Sequence, residues 1–353
     1  MLPYIYLLTF TTIINYLGRL YFSKELKKVF LFSTALILIF FAGLRNYTVG
    51  TDTHTYVAIF SRINEFKDIF SHIDFGFYFL VWFARLITKE YFLPLLLTAI
   101  IIVTCYFNTI LKIAKNYETS LYLFIAVEGY LFFFNGARQG LAAAVCFLAI
   151  PFLLERRFWP YLILILVAAT FHRTALVTIP LYWLASPKVD KKRLFYLIIA
   201  TATLMVSLKS FVNLATNIFS DKYANYANVG EGGGTVTMIF LLMQGALLYY
   251  ARQFISHKKE TYSRLLNIYL IGLVPVVAGV LSNVNPSGIL RFKLYFCISA
   301  ILLWPIFFEQ VKVVPQKMLI GYTFIIITSA YFYITTSSFS NLTPYLLNQE
   351  LFG

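Results

Sequence analysis

Long apolar runs follow one another along the chain, separated by short polar connections. The runs at 2–22, 29–45, 91–111, 119–135, 138–154, 158–171, 174–186, 193–211, 237–253, 265–282, 291–308 and 318–337 predict about twelve membrane-spanning helices. A helical crossing takes roughly 17–25 apolar residues. The runs at 158–171 and 174–186 are short for that and predict tilted, bent or partly re-entrant segments. Barrel strands alternate in hydrophobicity, and unbroken runs such as 92–110 do not. The pattern predicts an all-α polytopic membrane protein, with 1–353 as a single integral-membrane domain.

One apolar piece breaks the series. The stretch 75–86, with Phe75, Phe77, Tyr78, Trp82, Phe83 and then Arg85, is too short to span about 30 Å of hydrocarbon. It predicts a helix lying on the outer interface, inside an outer loop at 46–90. Lysine and arginine concentrate in the connections 24–28, 112–118, 155–157, 188–193, 252–264 and 309–317. Cytoplasmic loops carry that excess. With 75–86 left on the surface, all six connections fall inside and both termini fall outside. A second outer loop is then 212–236, with Tyr223, Tyr226 and a glycine run at 232–234.

Composition agrees. Of 353 residues, 60% are hydrophobic and 12% charged, half the roughly 25% charged residues of a soluble chain. The net charge of +14 belongs to the inner connections and implies no nucleic-acid partner. The first run lacks a basic leader and a small-residue cleavage site, so it reads as a span. Cys105, Cys146 and Cys297 lie inside apolar runs and read as small core residues. Phosphate-loop and metal-ligand spacings are missing, so no cofactor and no metal is expected.

Candidate chemistry sits where positive charge runs against the inside bias. The outer side receives Arg45 with Asp52, Arg138 with Gln139, His172 with Arg173, and Arg291 with Lys293. Cations arriving at one depth from different helices suggest a shared anionic ligand. Arg45 closes a run and meets the turn Gly50-Thr51-Asp52-Thr53; the plainer reading is a snorkelling helix-end arginine. Arg138 follows an Asn135-Gly136 break at a helix start, a place that favours anions; the plainer reading pairs it with Glu128 or Asp74. His172 can trade a proton near neutral pH, or serve only as structure. Its neighbour Arg173 disfavours the imidazolium and so keeps the ring able to accept a proton. Arg291 and Tyr295 share a helix face, fit either for phosphate and sugar or for interface anchoring.

At Gly43-Leu44-Arg45 with Val49-Gly50-Thr51-Asp52-Thr53 and Tyr56, at Arg138-Gln139 with Ala142, and at Phe171-His172-Arg173-Thr174-Ala175, the sequence resembles the EpsG family. These are bacterial polysaccharide polymerases similar to the Wzy O-antigen and capsule polymerases. Order and spacing match over roughly 1–185; the later half matches mainly by hydropathy and the Arg291/Tyr295 segment. Arg173 stands where a lysine or a similar residue is expected after the histidine, a mild departure.

The resemblance implies a GT-C-like helical fold in the bacterial cytoplasmic membrane, with its site facing outward. It implies that two undecaprenyl-diphosphate-linked oligosaccharide repeats meet there as donor and acceptor. A hydroxyl of one attacks the anomeric carbon of the other, and undecaprenyl diphosphate leaves. Arg45, Arg138, Arg173 and Arg291 would hold the diphosphate, His172 or Asp52 would act as base, and Tyr56, Gln139, Tyr223, Tyr226 and Tyr295 would contact glycan. Membrane lipid and a chain-length regulator protein are the further partners it admits. An O-antigen ligase would use the same arginines. A lipid-linked oligosaccharide flippase would instead line the whole membrane depth with charge, and an acyltransferase would place its histidine inside.

Overall fold

In lipid, a backbone N–H or carbonyl has no water to bond, so apolar runs satisfy themselves as helices. The computed structural model describes residues 1–21, 23–63, 65–70, 72–127, 129–219, 234–282, 287–310, 314–339 and 341–349. Among these the regular structure is helical, and the one extended pairing is an antiparallel bridge between Arg45 and Leu347. Seven helices among the described residues are long and apolar enough to cross a membrane. The helices gather into two compact units, 1–179 with 312–353, and 180–311.

The first unit contains α1 (Leu2–Tyr21), α2 (Lys24–Gly43), α3 (Thr53–Arg62), α4 (Phe75–Ile87), α5 (Phe92–Ile113), α6 (Tyr117–Ala126), α7 (Ala137–Leu154) and α8 (Phe158–Phe171). The late helix Val314–Ser338 returns to it. Its centre is α7, the most buried of the spanning helices, which packs against α5 and α8. Gly140, Ala142, Ala143 and Ala144 are buried there, and small side chains let helices approach closely. Apolar side chains of α1 such as Tyr6, Phe10 and Ile13 stay exposed, as a lipid-facing surface requires.

The two ends of this unit differ in chemistry. At one end Arg19 pairs with Glu118, and Glu155 takes Lys112 at 2.6 Å and Arg157 at 3.4 Å. At the other end meet the start of α1, the 44–56 turn, the α7 N-terminus, the end of α8 and residues 341–348.

The second unit is organised around the helix Lys259–Leu281. Polar side chains on it are spent on backbone oxygens: Tyr262 on Leu248 at 2.8 Å, Tyr269 on Leu241 at 2.8 Å and Arg264 on Ala185 at 2.9 Å. Arg264 also pairs with Glu260 at 2.6 Å, and Lys258 with Glu309 at 3.3 Å.

Several predicted runs are not single helices. The run at 119–135 breaks after α6 and resumes as a 3-10 turn at Leu131–Phe134. Gly129 falls in the break, where a helix is weakest, and Tyr130 instead donates to the Leu38 carbonyl at 2.6 Å. The run at 174–186 is a 3-10 piece, Arg173–Thr178, then one turn, Leu181–Leu184, with Pro180 between them. Proline cannot donate to the helix and restricts the residue before it. The piece at 75–86 does form one short helix, α4. It buries Phe77, Tyr78, Leu80, Val81 and Ala84 and exposes Phe75, Phe79, Phe83 and Leu86 on the opposite side. The three cysteines are buried and unpaired.

Candidate functional site

The site is assembled from the 44–56 turn outward. Gly50 adopts φ +96, a conformation costly for any side chain, and so lets α2 reverse into α3. Thr53 Oγ1 donates to the Val49 carbonyl at 2.6 Å and lies 3.1 Å from the Phe134 carbonyl. Asn135 Oδ1 accepts from the Thr51 N–H. Tyr56 Oη accepts from Ala137 N–H at 2.9 Å, which satisfies one of the free donors at the α7 N-terminus. The turn and the start of α7 are therefore one construction, and Arg138 projects from it.

Arg45 lies beneath this turn. It is 1% exposed, and its guanidinium sits 4.3 Å from the centre of the Phe134 ring. Its nitrogens donate to the Ala42 carbonyl and, at 3.4 Å, to Thr53 Oγ1; no carboxylate pairs with it among the described residues. The segment 341–348 covers it. Asn46 N–H donates to Leu346 O and Asn348 N–H to Leu44 O, each at 2.8 Å, while Tyr345 stacks on Phe41 at 4.1 Å. Asp52, the other candidate base, makes no side-chain hydrogen bond with Arg45. It stands half-exposed at the entry to α3.

The cationic cluster forms beside α4. Gly76 is pressed against α8, so that a Cβ there would fall 2.3 Å from Thr170 Oγ1. That close approach brings the nearby Asp74 to the end of α8 and the start of α7 together. Arg138 Nη1 donates to Asp74 Oδ2 at 2.8 Å, and His172 Nδ1 lies 3.5 Å from the same oxygen. Asp74 is 9% exposed, His172 30% and Arg138 37%. Burial pushes the Asp74 carboxyl up, but His172 and Arg138 outweigh it and hold the group below the ordinary carboxylate range. Beside the cluster Tyr78 stacks on His72 at 3.7 Å.

The cations expected to act together are thus divided. Arg138 and His172 meet across Asp74; Arg173, next in the chain, is exposed; Arg45 is sealed. Among the expected glycan contacts, Tyr56 is buried with its hydroxyl engaged, and Gln139 is buried with Oε1 unbonded among the described residues. Arg291, half-buried, and Tyr295, buried, belong to the second unit. Tyr223 and Tyr226 lie outside the described residues, as does Glu128, the alternative partner of Arg138.

Asp74, the hub of the cluster, was one of the two carboxylates that the sequence offered to Arg138, and that pairing forms; nothing in the sequence joined it to His172. Its partners are 64 and 98 residues away, and only the seating of α4 on α8 makes the connection.

The family model EpsG family matches residues 28–347, nearly the whole length. The chain belongs to the EpsG family. Members of this family are Wzy-like polymerases, which makes a role in surface-polysaccharide polymerisation the function to which the site should answer. The EpsG match contains Arg45, Asp74, Arg138, His172 and Arg291 alike, and also the covering segment up to Leu347. No curated protein matches the chain, and no solved structure does.

Proposed function

We propose that this EpsG-family protein joins lipid-linked oligosaccharide repeats at the outer face of a bacterial cytoplasmic membrane, with undecaprenyl diphosphate as leaving group. The observation that supports this most directly is Arg138 and His172 side by side on Asp74, both partly open, at the end of the first unit away from its Lys112–Glu155 pair.

Breaking the anomeric C–O bond puts the bonding electrons on the diphosphate. That charge needs prepaid stabilisation, and oriented donors in a water-poor site supply it. Arg138 offers a forked donor and exposed Arg173 a second cation. The reading assigns this work to arginine and not to a metal. The acceptor sugar hydroxyl attacks the anomeric carbon and gives its proton to His172. General-base help of this kind is worth about 10²–10⁴-fold. Lipid covering the exposed face of α4, with Phe75, Phe79 and Phe83, would hold the site at the depth of the donor's diphosphate. The remaining crossings of the twelve-span arrangement, and its GT-C likeness, belong to this reading as well.

Purified protein in lipid bilayers, supplied with undecaprenyl-diphosphate-linked repeat units, should release undecaprenyl diphosphate and build a glycan ladder. A single transfer to a lipid core with no ladder would make it a ligase. Transbilayer movement of donor without glycosidic bond formation would make it a flippase.

A further inference from the structure

Asp74 offers one oxygen to two groups. Oδ2 lies 2.8 Å from Arg138 Nη1 and 3.5 Å from His172 Nδ1, so the arginine holds the hydrogen bond and the histidine waits at ion-pair distance. Among the described residues His172 Nδ1 is buried without a hydrogen bond, although 30% of the side chain is open. The open edge of the ring is therefore the one that carries Nε2. A histidine whose inner nitrogen faces a carboxylate keeps its proton there, and the other nitrogen is left as acceptor.

We propose that Asp74 is the positioning residue of this site, fixing His172 as the Nδ1–H tautomer with Nε2 toward substrate, and that donor diphosphate binding at Arg138 hands Oδ2 over to His172. This rests on the polymerase reading. The anionic donor draws the Arg138 fork off Oδ2. The freed oxygen then accepts the Nδ1–H at normal hydrogen-bond length. The acceptor hydroxyl proton passes to Nε2 as the oxygen–anomeric carbon bond forms and the carbon–diphosphate bond breaks. The resulting imidazolium faces the Asp74 carboxylate. Base strength is thereby raised only when a donor is in place, which discourages attack by water in its absence. Gly76 lets the start of α4 lie against Thr170, two residues before His172, where a side chain would not fit.

The charged group that faces the ring is Asp74, with Arg138 on the same carboxylate oxygen and exposed Arg173 next in the chain. Tyr78, stacked on His72 nearby, is pushed up from its ordinary value by burial and stays neutral. Because Asp74 is held below the usual carboxylate range, it is ionised throughout the range in which an imidazole titrates.

Two measurements test the assignment. The first needs no activity. Imidazole ¹⁵N spectra of the full chain, recorded at alkaline pH and assigned by the signal missing in His172→Gln, should show Nδ1 protonated; a protonated Nε2 overturns the proposal even if every other variant misfolds. The second uses the polymerisation assay, with wild-type turnover established first, so that an inactive wild type counts against the polymerase reading and not against Asp74. Asp74→Asn should lower kcat by about 10²-fold, the lower end of a general base's contribution. It should leave KM for donor little changed and move the acid limb of the pH–rate profile to lower pH, with Asp74→Glu recovering part of kcat. Arg138→Gln should mainly raise KM. A wild-type profile for Asp74→Asn, or a pure KM effect like that of Arg138→Gln, would show that Asp74 serves only the arginine.

Discussion

Asn135 accepts a hydrogen bond from the backbone N–H of Thr51, 84 residues earlier, at 2.5 Å. The Thr51 hydroxyl reaches the same amide oxygen at 3.1 Å. This contact ties the Gly-Thr-Asp-Thr turn to a residue just before α7. The two stretches that carry Asp52 and Arg138 consequently move as one piece.

Removing that tie should loosen the site without unfolding the protein. Asn135→Ala takes away one acceptor at a partly exposed position, a loss of about 1 kcal/mol. Glycan-ladder assays on protein matched for membrane level should show reduced polymerisation, with a thermal midpoint in detergent close to wild type. Asn135→Asp keeps the oxygen acceptor and should retain more activity than the alanine variant.

Gly76→Ala should act through geometry alone. The added methyl meets Thr170 Oγ1 and Cβ, at 2.3 and 2.9 Å from the new atom, so α4 must shift away from α8. Overpacking of this kind typically costs about 1–3 kcal/mol. Asp74 moves with α4. Thermal unfolding should report the destabilisation, and polymerisation should fall further than Asn135→Ala makes it fall.

Arg45 and Arg138 should respond differently to truncation, although both were expected to hold diphosphate. Arg45 is sealed under 341–348 without a carboxylate partner among the described residues, whereas Arg138 is more than a third open. Arg45→Ala should lower protein level and thermal stability on the scale of a large-to-small core substitution. Arg138→Ala leaves the Asp74 carboxylate with His172 alone, so it should cost some stability, less than Arg45→Ala, and should abolish long glycan. Replacing a buried cation by a well-packed apolar side chain is often neutral or stabilising. Arg45→Met should therefore recover the fold, and its activity then reads out whether the guanidinium also serves the substrate. Loss of long glycan at wild-type stability would return Arg45 to the diphosphate.

The buried native cysteines give a clean background for accessibility. Single cysteines in place of Arg173 or Asp52 should react with an impermeant maleimide added to whole cells or spheroplasts. Cysteines at Lys115, Arg157 and Lys192 should react only after the membrane is opened. Labelling of the second set from outside would invert the orientation and with it the proposed face of catalysis.

Sequence alone determined the features that solvent imposes. Apolar runs with few charges must become helices in lipid whatever they pack against, so most helix positions were legible, as was the short piece at 75–86. The out-of-place ionisable groups at Arg45, Arg138 and His172 were legible for the same reason, since such groups at membrane depth are rare. Which of them stand together was decided by tertiary structure. A hydropathy pattern has no information about partners far along the chain: the sequence offered Arg138 a choice of Glu128 or Asp74, and only the seating of Gly76 on Thr170 brings Asp74 to Arg138 and to His172 as well. Nor could it show that 341–348 would fold back over Arg45, because those backbone bonds to 44–50 depend on shape and not on residue type. The end of α6 at Ala126 and the interruption at Pro180 were likewise hidden in continuous apolar runs, where one glycine or proline decides between a helix and its end.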